Sequence, residues 1–235
     1  MTGFLGEFFG TMVLILFGVG CGAGVNLKHN YANGQNWMFV TLAWGMAVTF
    51  GVYLAGQIGS EGHLNPAVTI GFASAGLFDA SLVLPYILGQ LLGAFVGAAL
   101  VILYYYPQFK ATSTKEGNTV GIFATGPALD RPFFNFLNEC LATFFFILIL
   151  LNLGDFTDGL KPLIVGLLIM VVGQTLGGTT GFALNPARDF MPRLAYSILP
   201  VPHKTSANFG YAWVPIVGPI CGGVLASLTH VLLFS

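Results

Sequence analysis

Apolar runs interrupted by Gly, Pro and Asn set the pattern of the chain. Uncharged stretches extend from Phe8 to Leu27, Gly62 to Phe78, Ala80 to Phe109, Cys140 to Gly154, Pro162 to Ala187 and Thr205 to Ser235. A helix needs about 20 such residues to cross a bilayer. With their punctuation these runs predict six spans, at roughly 4–26, 36–57, 81–105, 134–154, 161–178 and 211–234. Two shorter apolar segments remain, near 65–76 and 185–195, too short to cross as helices. Each starts with the same tripeptide, Asn65-Pro66-Ala67 and Asn185-Pro186-Ala187. Asn suits a helix N-cap and Pro the first helical position, so both tripeptides read as helix starts.

The two halves repeat one another. Glu7 and Thr11 in the first span are matched by Glu139 and Thr143 in the fourth. Gly45 precedes Asn65 by nearly the interval that separates Gly166 from Asn185, and Gly89 and Gly93 are echoed by Gly218 and Gly222. Each unit holds three crossings, an odd number, so the second enters the membrane from the opposite side. The expected fold is all-α, with six transmembrane helices and two re-entrant half-helices in an inverted three-helix repeat. It forms a single domain over 1–235, with repeats at about 1–110 and 131–235. Half-helices entering from opposite faces can meet at mid-membrane, where irregular backbone persists only if buried or lining a water-filled path.

Composition fits this reading. Charged residues make up 7% of the chain and hydrophobic ones 55%, against about 25% charged in soluble domains. The net charge of −1 gives no basic surface for a phosphate backbone, which argues against nucleic acid as a partner. Cys21, Cys140 and Cys221 are odd in number and lie in apolar segments, without metal-ligand or disulfide spacing. No nucleophile has an evident base, so enzymatic turnover is not expected. The N-terminus lacks the basic region and cleavage site of a secretory signal, and its apolar run is expected to be a mature span. Tyr104, Tyr105 and Tyr106 at the end of the third span, and Trp37 and Trp213 opening the second and sixth, read as interfacial anchors.

The paired boxes, continued as His63-Leu64-Asn65-Pro66-Ala67-Val68-Thr69 and Asn185-Pro186-Ala187-Arg188-Asp189, resemble the major intrinsic protein family, and the likeness covers nearly the whole chain. Within it, Asp189 after Arg188, Arg193 four residues further on, and the non-aromatic pair Pro215-Ile216 resemble the glycerol-facilitator branch. The resemblance implies an aquaporin-like channel in the cell membrane. It would be a homotetramer with one pore per subunit, passing glycerol, water and other small neutral solutes without a cofactor. It also implies a selectivity filter of Trp44, Phe182 and Arg188, with Gly173 where water-specific members place His. Two features depart from the family pattern. Glu61 stands where Gly is usual. With both termini cytoplasmic, Lys28, Lys110, Lys115, Arg131, Arg193 and Lys204 fall outside and Lys161 alone inside, the reverse of the usual bias.

The chemistry of these residues suits permeation. A solute in a narrow pore sheds water, and the wall must return hydrogen bonds without trapping it. Asn65 and Asn185 would cap the half-helices and offer amide donors, while the positive helix ends repel cations. Arg188 would donate to hydroxyls and exclude cations, with backbone carbonyls taking its remaining donors. Trp44 and Phe182 would form an apolar wall opposite it, and the missing side chain of Gly173 would leave room for a three-carbon polyol. Asp189 and Arg193, one helical turn apart, would pair. Glu7 and Glu139 would accept backbone N–H groups of the loops before the half-helices, a task an amide oxygen could share. His63 reads as a hydrogen-bonded loop histidine at the inner mouth. A channel mainly for water or undissociated small organic acids is an alternative, as is a proton-coupled transporter, in which the carboxylates would relay protons.

Overall fold

The computed structural model describes residues 1–113 and 119–234; Lys115, counted above among the outer cations, lies outside them. The described residues form helices joined by loops. These are α1 (Thr2–Asn26), α2 (Trp37–Ile58), α3 (Pro66–Ser74), α4 (Ala80–Tyr104), α5 (Tyr106–Ala111), α6 (Val120–Phe123), α7 (Pro132–Leu151), α8 (Lys161–Leu176), α9 (Pro186–Ile198) and α10 (Val214–Phe234). The order long, long, short, long occurs twice, as α1–α4 and α7–α10, with α5 and α6 between.

Local chemistry sets the starts. Asn36 accepts from the Phe39 amide at 3.1 Å to cap α2, and Asp79 accepts from Ser81 at 2.8 Å to cap α4. Proline opens α3, α7 and α9, where a missing N–H costs nothing. Among the described residues, five helical segments are long and apolar enough to cross a membrane: α1, α2, α4, α7 and Phe209–Phe234. The remaining apolar helix, α8, has 16 residues and reaches about 24 Å, less than a hydrocarbon core of about 30 Å. The sequence reading carried this span to 178, but α8 stops at Leu176, where Gly177 and Gly178 follow.

The molecule is inside-out relative to a water-soluble protein. Large apolar side chains such as Leu84, Leu103, Phe133 and Leu232 face outward, whereas Glu7, Gln90, Glu139, Asp189 and Arg193 are fully buried. This is an integral membrane protein, with lipid as solvent for the outer faces and polar groups satisfied internally. Arg193, counted from sequence among the cations on the outer side, is an interior residue.

Helix α1 packs on α2 and α4, α7 on α10, and α2 on α8. The half-helices change sides: α3 packs on α10 of the other half, and α9 on α4. Close packing is obligatory at matched places. A Cβ on Gly93 would lie 2.2 Å from the Phe8 carbonyl oxygen, and one on Gly222 would lie 2.2 Å from that of Cys140. Contacts of this kind hold helices together where lipid removes the hydrophobic drive for association.

Candidate functional site

The half-helices meet head to head. The Asn65 side chain caps α3 by accepting from the Ala67 amide at 2.8 Å, and its Nδ2 donates across the junction to the Leu184 carbonyl at 2.8 Å. Asn185 caps α9 by accepting from Ala187 at 3.0 Å and Arg188 at 3.1 Å, and donates to the Leu64 carbonyl at 2.7 Å. Each amide nitrogen carries two hydrogens, so one remains beyond the bond that ties the halves together. Pro66, Ala67, Pro186 and Ala187 form the buried first turns.

The leucines before the boxes carry backbone strain. Leu64 has φ +52° and Leu184 φ +55°, a left-handed conformation that costs a branched side chain of order 1–3 kcal/mol. Both neighbours of each peptide hold it there. The Leu64 amide donates to Glu7 at 2.6 Å and its carbonyl accepts from Asn185. The Leu184 amide donates to Glu139 at 3.0 Å and its carbonyl accepts from Asn65.

Each buried glutamate is an acceptor at both oxygens. Glu7 Oε1 accepts from Ser60 Oγ at 2.6 Å and the His63 amide at 2.9 Å; Oε2 accepts from Leu64 and from Gln90 Nε2 at 2.6 Å. Glu139 Oε1 accepts from Thr180 Oγ1 at 2.6 Å and the Ala183 amide at 3.0 Å; Oε2 accepts from Leu184. An amide could replace one oxygen but would turn an NH2 onto another donor, so the equivalence suggested by sequence does not hold at either position.

Among the described residues, a central cavity at this junction shares walls with a larger one on either side. The central one, about 50 Å³, is lined by Trp44, Val48, His63, Leu64, Asn65, Phe146, Phe182, Leu184, Asn185 and Arg188 among others. That is room for a short file of water-sized molecules. It shares Trp44, Phe182 and Arg188 with a vestibule of about 380 Å³ that includes Gln35, Asn36 and Trp37. On the other side it shares Val48, His63 and Phe146 with a vestibule of about 390 Å³ that includes Glu61 and Lys161.

The neck between the central cavity and the first vestibule is chemically two-sided. Arg188, third residue of α9 and 9% exposed, places its guanidinium carbon 3.8 Å from the Trp44 ring centroid, a cation–π contact. Its Nη1 donates to the Phe123 carbonyl at 3.2 Å. Phe182, at φ +41°, fills the space beside Gly173: a Cβ there would stand 2.8 Å from two Phe182 ring atoms and 3.0 Å from Thr41 Cγ2. The absent side chain thus seats the Phe182 ring and does not leave an open lumen beside Gly173.

Behind the neck, Asp189 and Arg193 pair at 2.8 Å, both fully buried. Asp189 also accepts from the Thr125 amide and hydroxyl at 2.6 and 2.7 Å. Arg193 donates to the carbonyls of Ala207 at 2.7 Å, Asn208 at 3.0 Å and Thr125 at 2.8 Å. The pair therefore pins two connecting loops to α9. His63 Nδ1 lies 3.1 Å from Thr69 Oγ1. That hydroxyl also bonds the Asn65 carbonyl at 3.1 Å and accepts from Gln90 Nε2 at 2.9 Å. The imidazole packs among Phe72, Phe78 and Tyr86, and its Nε2 stands 3.6 Å from Glu61.

Sequence reasoning did not reach Phe123 and Thr125, which lie between the halves in a segment with no motif, or Gln90, whose side chain on α4 donates to Glu7 and Thr69. It also took Trp37 for a membrane anchor. The Trp37 indole N–H instead donates to the Gly173 carbonyl at 3.0 Å, with its ring edge-to-face on Phe182 at 5.5 Å.

Fold and site together define a helical membrane protein with a narrow, two-sided passage between opposed half-helices. The chain belongs to the major intrinsic protein family, whose sequence profile it matches over residues 1–230. It is 70% identical over 228 residues to glycerol uptake facilitator protein 2 of Lactiplantibacillus plantarum, covering 97% of each chain. It is 48% identical over 225 residues to the glycerol uptake facilitator protein of Bacillus subtilis, covering 95% of this chain and 81% of that one. Among solved structures, the aquaglyceroporin from Plasmodium falciparum matches with a TM-score of 0.84 and 34% identity, over 97% of this chain and 94% of that chain.

Proposed function

We propose that this protein is a passive channel of the cell membrane for glycerol and other small neutral solutes, water among them, and that it excludes ions and protons. The observation that carries this reading is the two-sided neck. Phe182 and the part of the Trp44 ring that the guanidinium leaves uncovered offer an apolar surface to the carbon edge of a polyol, and Arg188, stacked on Trp44, offers donors to its hydroxyls. The named relatives, glycerol uptake facilitators over nearly the whole chain, support the choice of glycerol.

In this reading Trp44, Phe182 and Arg188 form the selectivity filter, with Gly173 seating the Phe182 ring behind it, and Asn65 and Asn185 present amide hydrogens at the junction. The strained Leu64 and Leu184 direct carbonyls toward the same place. Many single hydrogen bonds, each replacing one bond to water, lower the cost of dehydration without a deep well. The positive ends of α3 and α9 face each other there and oppose cations. Glu7, Glu139, Asp189, Arg193 and His63 keep this backbone in place. The whole chain is one channel domain, with the two inverted halves sharing a single passage, and four copies assemble into a homotetramer. No cofactor or turnover chemistry is involved.

Stopped-flow light scattering on proteoliposomes tests the assignment by comparing glycerol, water and an uncharged small acid. Glycerol permeability well above that of empty vesicles supports it. Water or acid flux without glycerol flux replaces it with a channel of different cargo.

A further inference from the structure

Trp37 and Trp213 look alike in sequence, each opening a span, and they are almost equally exposed, at 42% and 44%. Their surroundings differ. Trp213 stacks on Phe136 at 6.0 Å and 18°, away from the passage. Trp37 lines the Arg188-side vestibule and touches the neck through two separate contacts.

The first is a hydrogen bond. Gly173 belongs to the last four residues of α8, whose carbonyls find no partner inside the helix; the Trp37 indole N–H caps this one at 3.0 Å. The second is a ring contact. Phe182 lies in a groove made by two glycines one turn apart: a Cβ on Gly173 would meet its ring at 2.8 Å, and one on Gly177 would meet it at 2.6 Å. The Trp37 ring closes this groove from the vestibule side, edge-to-face at 5.5 Å and 83°. Phe182 meanwhile holds φ +41°, a conformation that a side-chain-bearing residue keeps only when its surroundings impose it.

We propose that Trp37 is a positioning residue for solute discrimination: anchored to the Gly173 carbonyl, it keeps the Phe182 ring in its glycine groove and so fixes the width of the neck opposite Arg188. The inference rests on the channel reading above. Without Trp37 the ring gains freedom toward the vestibule, and the freed Gly173 carbonyl faces water. The neck then tolerates wider solutes, and discrimination suffers before conductance does.

The test measures permeability to glycerol and to the four-carbon polyol erythritol in proteoliposomes of the unaltered protein, Trp37→Ala, Trp37→Phe and Trp213→Ala. The erythritol-to-glycerol ratio should rise by about threefold or more in Trp37→Ala, the scale of one lost aromatic contact. It should rise less, in the same direction, in Trp37→Phe, which keeps a ring but loses the N–H. Trp213→Ala should leave it unchanged. If Trp37→Ala does not insert, Trp37→Phe decides the question. An unchanged ratio in the Trp37 variants that insert, alongside normal glycerol flux, overturns this inference alone; so does an equal rise in Trp213→Ala, which would mark a general interfacial effect. No glycerol flux in the unaltered protein overturns the channel reading and this inference with it.

Discussion

Gly45 of α2 and Gly166 of α8 stand face to face: a Cβ on Gly45 would lie 2.5 Å from the Gly166 carbonyl oxygen, and a Cβ on Gly166 would lie 2.5 Å from that of Gly45. They hold matching places before the two Asn-Pro-Ala boxes, so the helices of the two halves cross where the halves correspond. Neither neighbour can yield, because both are backbone. Gly45→Ala or Gly166→Ala should therefore cost about 1–3 kcal/mol through overpacking, read as a lower midpoint of thermal unfolding in detergent. An unchanged midpoint would show that the crossing is looser than described.

Among the described residues, Arg188 is the one full charge in the wall of the narrow cavity. Arg188→Val should retain neutral-solute flux and admit protons or alkali cations under an imposed voltage, followed with a pH-sensitive dye inside vesicles. Intact ion exclusion in a folded variant would assign the barrier to the opposed helix ends alone.

The Asp189–Arg193 pair is a buried ion pair with every partner specified. Asp189→Ala leaves Arg193 charged and unpaired, which should destabilise the protein by about 3–5 kcal/mol. Arg193→Lys should also lower stability, since one ammonium cannot reach the carbonyls of Thr125, Ala207 and Asn208 as well as Asp189. Wild-type stability in Arg193→Lys would contradict the clamp.

Glu7→Gln and Glu139→Gln each place an NH2 against at least one donor already using that oxygen. Loss of stability should follow, of about 1–3 kcal/mol for each donor left unpaired, together with reduced flux at every pH. Full stability with loss of a proton-gradient response would instead identify a proton relay.

Much of this arrangement was legible in the sequence because it is written in local chemistry. Asn-Pro helix starts, apolar run lengths and the matched Glu, Gly and Asn positions led to the crossings, the half-helices and Asn65, Asn185 and Arg188. What escaped was decided by tertiary geometry. Trp37 resembles any interfacial tryptophan until the end of α8 is placed beside it. Gly173 resembles an empty space until the Phe182 ring is placed in it. Phe123 and Thr125 contribute largely through main-chain atoms, whose use leaves little trace in side-chain identity. The end of α8 was placed late because hydropathy continues through Gly177 and Gly178 while the helix does not.

Seating of Phe182 against Gly173 gives Gly173→His a specific outcome. The new side chain must displace the ring, and glycerol should lose far more conductance than water because only water can pass a narrowed neck in single file. Adding Phe182→Ala should recover part of the glycerol flux by removing the clash. An equal loss for both solutes, unrelieved by the second change, would indicate collapse of the passage.

The central claim is that solute crosses by passive diffusion through a fixed passage. The most direct measurement is the initial rate of glycerol uptake into proteoliposomes over a wide range of glycerol concentrations, with and without an imposed proton gradient. The account predicts a rate that rises in proportion to concentration and ignores the proton gradient. Saturation at low concentration, with uptake accelerated by the gradient and abolished by a protonophore, would contradict it.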